Sequence, residues 1–156
     1  MRRAERQTDD AYAMRLFEQV EWVSVATTGP DGPYVVPMTP IIVGPTIYLH
    51  CASEGKRLDN LHHDKRVCIA CVGSSVVDKH QFSMEYESAI AFGSIEFVDS
   101  REEKKIVLDA LSRRFTDHCA KETSEHIERL ADSTVVLKVA LTSITGKIRK
   151  RKDHYT

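Results

Sequence analysis

Apolar residues recur along this chain with two periods, and each change of period marks an element. In residues 46–51, Ile47, Leu49 and Cys51 fall on one side and Tyr48 and His50 on the other. That alternation is the signature of a pleated strand. Leu58 and Leu61 follow at helical spacing, so the strand passes quickly into a helix. Residues 10–20 place Ala13, Leu16, Phe17 and Val20 on one helical face, with Thr8 or Asp9 available as a cap. The capping box Ser100-Arg-Glu-Glu103 opens a helix running to Phe115, with Val107, Leu108, Leu111 and Phe115 inward. A shorter helix is predicted over 123–131.

Further strands are predicted over 22–27, 34–39, 66–72, 88–98 and 134–141. The turn Gly29-Pro-Asp-Gly-Pro33 joins the first two as a hairpin. Pro37 and Pro40 each remove a donor, which predicts an edge or an irregular strand with backbone groups free to meet a ligand. Residues 66–72 are apolar on both faces and read as central, and Gly93 marks a bulge or bend in a long strand. The polar, mixed segment 73–86 reads as a mobile flap over a site. Six short antiparallel strands with peripheral helices predict a mainly β, single-domain small barrel over 1–156, with its mouth left for a ligand.

Composition narrows the function. The net charge is −1, so no global field points to nucleic acid or membrane. No apolar run is long enough to cross a bilayer, and Met1-Arg-Arg-Ala-Glu-Arg6 is not followed by the apolar core of a signal peptide. The expectation is a cytoplasmic protein without a membrane partner. The basic run Lys147-Ile-Arg-Lys-Arg-Lys152 lacks interleaved aromatics, so it reads as a solvated tail or an edge beside a cofactor. Cys51, Cys68, Cys71 and Cys119 include one C-x-x-C pair. That pair lies inside a strand, where residues three apart face opposite ways, so a redox or zinc site is not expected.

The chemistry concentrates in Ser53-Glu-Gly-Lys-Arg57. Ser53 can cap the helix, Gly55 lets backbone approach a ligand, and Lys56 and Arg57 add charge to the amides of a helix start. These features suit a phosphate. The spacing is not that of a P-loop, and Glu54 opposes the field. An ordinary capped helix with a solvated basic first turn explains the same residues. No nucleophile–base pair is visible, no catalytic residue or metal site is expected, and His62 and His63 read as surface residues.

Several motifs occur in a telling order. Met-Arg-Arg opens the chain. Then come Asp31-Gly-x-Tyr-Val-Val-Pro37, Ile47-Tyr-x-His50, Ser53-x-Gly-Lys56 with Leu58-Asp59-x-Leu61, Tyr86-x-Ser-x-Ile-x-Phe-Gly93 and Ile144-Thr-Gly-Lys147. Together they resemble the pyridoxamine 5'-phosphate oxidase-like FMN-binding split barrels, most closely the Nim (5-nitroimidazole resistance) group. The resemblance implies a six-stranded antiparallel split β-barrel working as a homodimer, with FMN at the interface and touched by both chains. By position, Ser53, Gly55, Lys56 and Arg57 would hold the phosphate, while Pro37, Met38 and Thr39 would run along the isoalloxazine edge. His50, Tyr86, Ser88 and Lys147 complete the implied cofactor-binding set, with Tyr86 and Ser88 lining the pocket or coming from the partner chain. The implied activity is an oxidoreductase passing electrons from the flavin to a small acceptor such as a nitroaromatic.

Two departures matter. Similar Nim-like sequences often carry histidine where Lys56 stands, which bears on any activity needing an imidazole. The Arg- and Trp-rich C-terminal motif of true pyridoxamine phosphate oxidases is also missing, and the only tryptophan is Trp22. Oxidation of the vitamin is therefore not expected. The competing reading is a non-catalytic carrier of flavin or haem, with His50 or His80 as a haem ligand.

Overall fold

A computed structural model of the chain describes residues 3–79, 82–115 and 120–149. The elements follow in the order β1 (Gln7–Thr8), α1 (Asp10–Gln19), β2 (Val23–Gly29), β3 (Gly32–Met38), β4 (Ile41–Val43) and β5 (Thr46–Cys51). After them come α2 (Lys56–His63), β6 (Arg66–Asp78), β7 (Ser83–Phe97), α3 (Arg101–Phe115), α4 (Ala120–Leu130) and β8 (Val135–Arg149). The strands form one antiparallel sheet in the order β3-β2-β6-β7-β8-β5-β4, with β1 added to β8.

The ends of that order define the architecture. β3 and β4 stand at opposite ends of the hydrogen-bonded path, yet only Thr39 and Pro40 separate them in the chain. Three Cα steps span at most about 11 Å. The sheet therefore curls round until its two edges nearly meet, and a seam stays open between them. From α3, Arg114 donates to the Pro40 carbonyl (3.0 Å) and to the Val20 carbonyl, tying the seam to the end of α1.

The inner face carries the main core. Val25, Leu49, Ile69, Ala91 and Leu137 from five strands meet Leu16 and Phe17 of α1 and Leu58 and Leu61 of α2. On the outer face, Ile41, Tyr48 and Val136 pack under Val107 of α3, and Leu108 of α3 meets Ile127 and Ala131. The Asp9 carboxylate caps α1 by accepting the Tyr12 N–H at 2.6 Å. Only half of the predicted capping box forms at α3. Ser100 Oγ accepts from the Glu103 N–H (3.3 Å), whereas the Glu103 carboxylate accepts the Tyr48 hydroxyl hydrogen (2.8 Å) and lies 3.6 Å from Lys138 Nζ. Burial, followed by this carboxylate, pushes the Tyr48 hydroxyl up to about 12.

Several expectations change. The six predicted strands become eight among the described residues, because β1 and β4 are too short to show alternation. The predicted flap is instead a two-stranded ribbon continuing β6 and β7, with Ser75 opposite Tyr86 and Val77 opposite Met84. It lacks a sequence signature because residues 72–77 are all exposed, so neither face is marked apolar for burial. β8 runs on to Arg149, so the basic run begins as a strand, and Phe115 is exposed. Cys68 and Cys71 pair with Phe92 and Ala89 on opposite faces, and burial raises both thiols above their ordinary range. His80, Cys119 and Lys150–Lys152 lie outside the described residues. Among the described residues, no helix is long and apolar enough to cross a membrane.

The bulge expected at Gly93 is present: the β7–β8 register shifts between Phe92 and Gly93. A Cβ on Gly93 would stand 2.4 Å from the Ala140 carbonyl oxygen, which backbone cannot easily vacate. Gly93→Ala is expected to lower stability by about 1–3 kcal/mol. An unchanged denaturation midpoint and slope would show that the strands can separate at no cost.

Candidate functional site

α2 begins later than the sequence suggests. Ser53 is exposed and caps nothing, and the residue at the N-cap is Gly55. Its φ of 122° belongs to the region glycine tolerates, while a Cβ there would meet nothing within 4 Å, so backbone conformation rather than crowding selects glycine. The helix lies against the sheet through Leu58 and Leu61 in the core and through Asn60, which is 3% exposed. Asn60 Nδ2 donates to Thr27 Oγ1 (3.1 Å), and that hydroxyl donates to the Tyr34 carbonyl (3.4 Å). This relay locks α2 to the β2–β3 hairpin. Sequence reading missed it; the signal is a polar residue on the buried side of an amphipathic helix.

Lys56 and Arg57 therefore leave a fixed helix start in different directions. Lys56 Nζ lies 3.3 Å from Asp31 Oδ2 and 5.7 Å from the Tyr34 ring centroid, and it stays half-exposed. Arg57 is half-buried, and its Nε is enclosed without a hydrogen-bond partner. His50 Nδ1 is likewise enclosed and unpartnered. Burial, then the Arg57 charge, holds the His50 imidazole below its ordinary value. Buried polar atoms without partners are costly, so such a pair marks a candidate place for a ligand to complete the bonding. Cations, the unpaired amides of a helix start and an unsatisfied guanidinium Nε fit a phosphate monoester.

The remaining residues divide into two sets. Pro37 and Met38 end β3, an edge strand as expected, with Pro37 exposed and Met38 buried, and Thr39 follows directly after it. Tyr86, Ser88 and Lys147 lie on the outer face of β7 and β8, with Ser88 opposite Lys147 and Tyr86 opposite Arg149. The bulge governs this placement: Thr142 is the extra residue, so the outward set on β8 shifts from Lys138 and Ala140 to Ser143, Thr145 and Lys147. β3 and β7 are three strand spacings apart, roughly 14 Å. Within one chain, Ser53, Gly55, Lys56, Arg57 and His50 share one region, Pro37–Thr39 follow along the edge strand, and Tyr86, Ser88 and Lys147 lie across the sheet. Among the described residues, no group of three or more histidine, cysteine or acidic side chains could hold a metal ion.

An incompletely closed antiparallel barrel with a basic helix start at its edge defines a split-barrel protein. The family model described as pyridoxamine 5'-phosphate oxidase matches residues 9–148, and the chain belongs to that family. A solved protein assigned to 5-nitroimidazole antibiotic resistance, from Bacteroides thetaiotaomicron VPI-5482, is 30% identical (TM-score 0.75), the match covering 91% of this chain and 86% of that one. A conserved hypothetical protein of Mycobacterium tuberculosis is 18% identical (TM-score 0.82), with 99% and 96% covered. A FAD and heme binding protein from Mycobacterium smegmatis is 19% identical (TM-score 0.73), with 94% and 74% covered. No curated protein sequence matches the chain.

His50 should leave a mark on stability. Its folded-state pKa lies below the ordinary 6.5, so below about pH 6.5 the unfolded chain binds more protons than the folded one. The neutral imidazole's contribution is present above that pH, is lost as pH falls towards the folded value, and is constant below it. Urea denaturation across this range should show His50→Gln with a shallower loss than the parent protein; parallel profiles would show that His50 is not held neutral.

Proposed function

We propose that the chain is an FMN-dependent oxidoreductase acting as a homodimer, with a small acceptor such as a nitroaromatic. The observation that carries this reading is the enclosed, unpartnered Arg57 Nε beside the α2 start, in a chain of this family. The Arg57 guanidinium and the helix amides bind phosphate oxygens. Lys56 can exchange its exposed ion pair with Asp31 for the more highly charged phosphate at little cost, since exposed pairs contribute little. Gly55 keeps the approach free of side chain, and Ser53 offers its hydroxyl from the preceding loop. At the other end of β3, the backbone of Pro37–Thr39 lines the ring edge, on the free side of an edge strand. Bound there, the flavin supplies the electron transfer, and the protein orients and tunes it.

The homodimer rests on the outer sheet face. Val35, Val72, Ile90 and Phe92 are 57%, 60%, 40% and 50% exposed, and they lie on adjoining strands with Ala26, Cys68 and Ala70 between them. A contiguous apolar patch of this kind marks an interaction site. A second copy is the occupant that also explains the divided site, because it brings Tyr86, Ser88 and Lys147 to the β3 edge of the first. The second reading, a carrier of flavin or haem, draws on the unpaired His50 Nδ1.

Three measurements test these statements. The purified protein should be yellow with releasable FMN, a reduced nicotinamide should bleach it, and a nitroaromatic should restore the colour; a Soret band instead would favour the haem carrier. Arg57→Ala should weaken FMN binding about 10- to 100-fold, from the loss of a charge-assisted contact of about 1.5–3 kcal/mol, while the fold persists. Phe92→Glu should shift sedimentation from dimer to monomer and release the flavin with it; a yellow monomer would contradict the shared site.

A further inference from the structure

The chain's single tryptophan, Trp22, is 60% exposed at the entrance to a core strand. An indole is a large apolar surface, and leaving one in water at the end of a core strand leaves it without a partner. Trp22 lines an open cleft of about 580 Å³ with Glu21, Val72, Gly73, Ser74 and Glu87 among its walls. That volume suits a small organic molecule. One wall is flat and apolar, from Trp22 and Val72. The other is the root of the β6–β7 ribbon.

The backbone at the root packs closely. A Cβ on Gly73 would lie 2.9 Å from Leu16 Cδ2 and 3.2 Å from Glu87 Oε2, so the bare glycine sits directly against both side chains. The Glu87 carboxylate lies near the Tyr12 hydroxyl: burial, then this carboxylate, raises the hydroxyl above its ordinary value. Arg15, the nearby cation on α1, is placed 5.4 Å over the Tyr12 ring. Neither Glu87 nor Glu21 has an ion pair among the described residues. The cleft thus combines an aromatic plane with two carboxylates that form no ion pair among the described residues.

Its position ties it to the flavin reading. Val23 pairs with Met38, so Trp22 stands next to the end of β3 where the ring edge is proposed. Val72 pairs with Ser88 on the far side.

We propose that this cleft binds planar aromatic cations, such as an aryl amidinium or a protonated aryl amine, and is the acceptor pocket of the flavin site. The ring stacks against Trp22, and the positive group reaches Glu87, with Glu21 at the rim. Its role as acceptor pocket rests on the flavin reading; the binding itself does not.

The sole indole N–H resonance of the ¹⁵N-labelled full chain belongs to Trp22 and reports on this cleft alone. Benzamidinium is expected to shift it saturably. Benzoate, the same shape with opposite charge, is expected to bind at least tenfold more weakly. Glu87→Gln removes the charge while keeping the side chain's size, and should weaken benzamidinium at least tenfold; Trp22→Leu, followed by calorimetry, should do the same. Equal binding of the two probes, no saturable shift, or unchanged affinity in Glu87→Gln overturns the proposal. Flavin absorbance read on the same samples separates the two claims. A yellow protein that ignores benzamidinium sinks the pocket alone, and a colourless protein that binds it sinks the flavin reading alone.

Discussion

Two missing N–H groups shape this molecule. Pro37 and Pro40 flank the point where the chain leaves one edge of the sheet and joins the other, and neither can donate across the gap. The sheet can therefore curl round a single core without sealing itself. Natural edges are normally blunted or covered. Here Arg114 holds the seam from α3 by taking the Pro40 and Val20 carbonyls, while the free edge of β3 remains available. The same strand carries Tyr34, under Lys56, and Pro37–Thr39 at its end. A cation over one part of the strand and free backbone at its end thus lie in line, as the proposed flavin site requires.

The second constraint is that a sheet face is either buried or committed elsewhere. The inner face is filled by α1 and α2, but α3 covers only the β4–β5–β8 part of the outer face. Val35, Val72, Ile90 and Phe92 remain in water. The bulge at Phe92/Gly93 adds one residue to β8, and with it Lys147 faces outward beside Ser88 instead of inward. A local irregularity thus decides which side of the sheet a distant lysine serves. The close approach of Ala140 to Gly93 keeps that irregularity in place.

Much of this was legible where a residue's side was dictated by burial. Ala13, Leu16 and Phe17 of α1, the alternation of β5 and the edge character of β3 follow from period and proline alone. Legibility failed where burial gives no signal. The ribbon beyond Val72 pairs through its backbone while its side chains face water, so its sequence looks like a loop. Ser53 looked like a cap because serine usually is one; the chain turns instead at Gly55, two residues later. The Glu103 carboxylate left the expected box because a buried Tyr48 hydroxyl was the more demanding partner. For the site, the sequence marks Lys56 and Arg57 as charges but is silent on how they differ: one is half-exposed beside Asp31, the other enclosed with an unmet donor. Only the packing of α2, set by Asn60 and Thr27, separates them.

A net charge of −1 hides a division of charge along the sheet. Lys56 lies at the β2–β3 turn, and Glu21 and Glu87 border the cleft at the opposite end of β2. The seven residues of β2 set these regions roughly 20 Å apart, beyond the screening distance of about 8 Å in physiological salt. The two fields therefore act almost independently on what approaches. On the flavin and cleft proposals, an anion would be drawn to one end and a cation to the other, and neither would need to displace the other to bind. A chain with the same composition but mixed charges would bind both weakly.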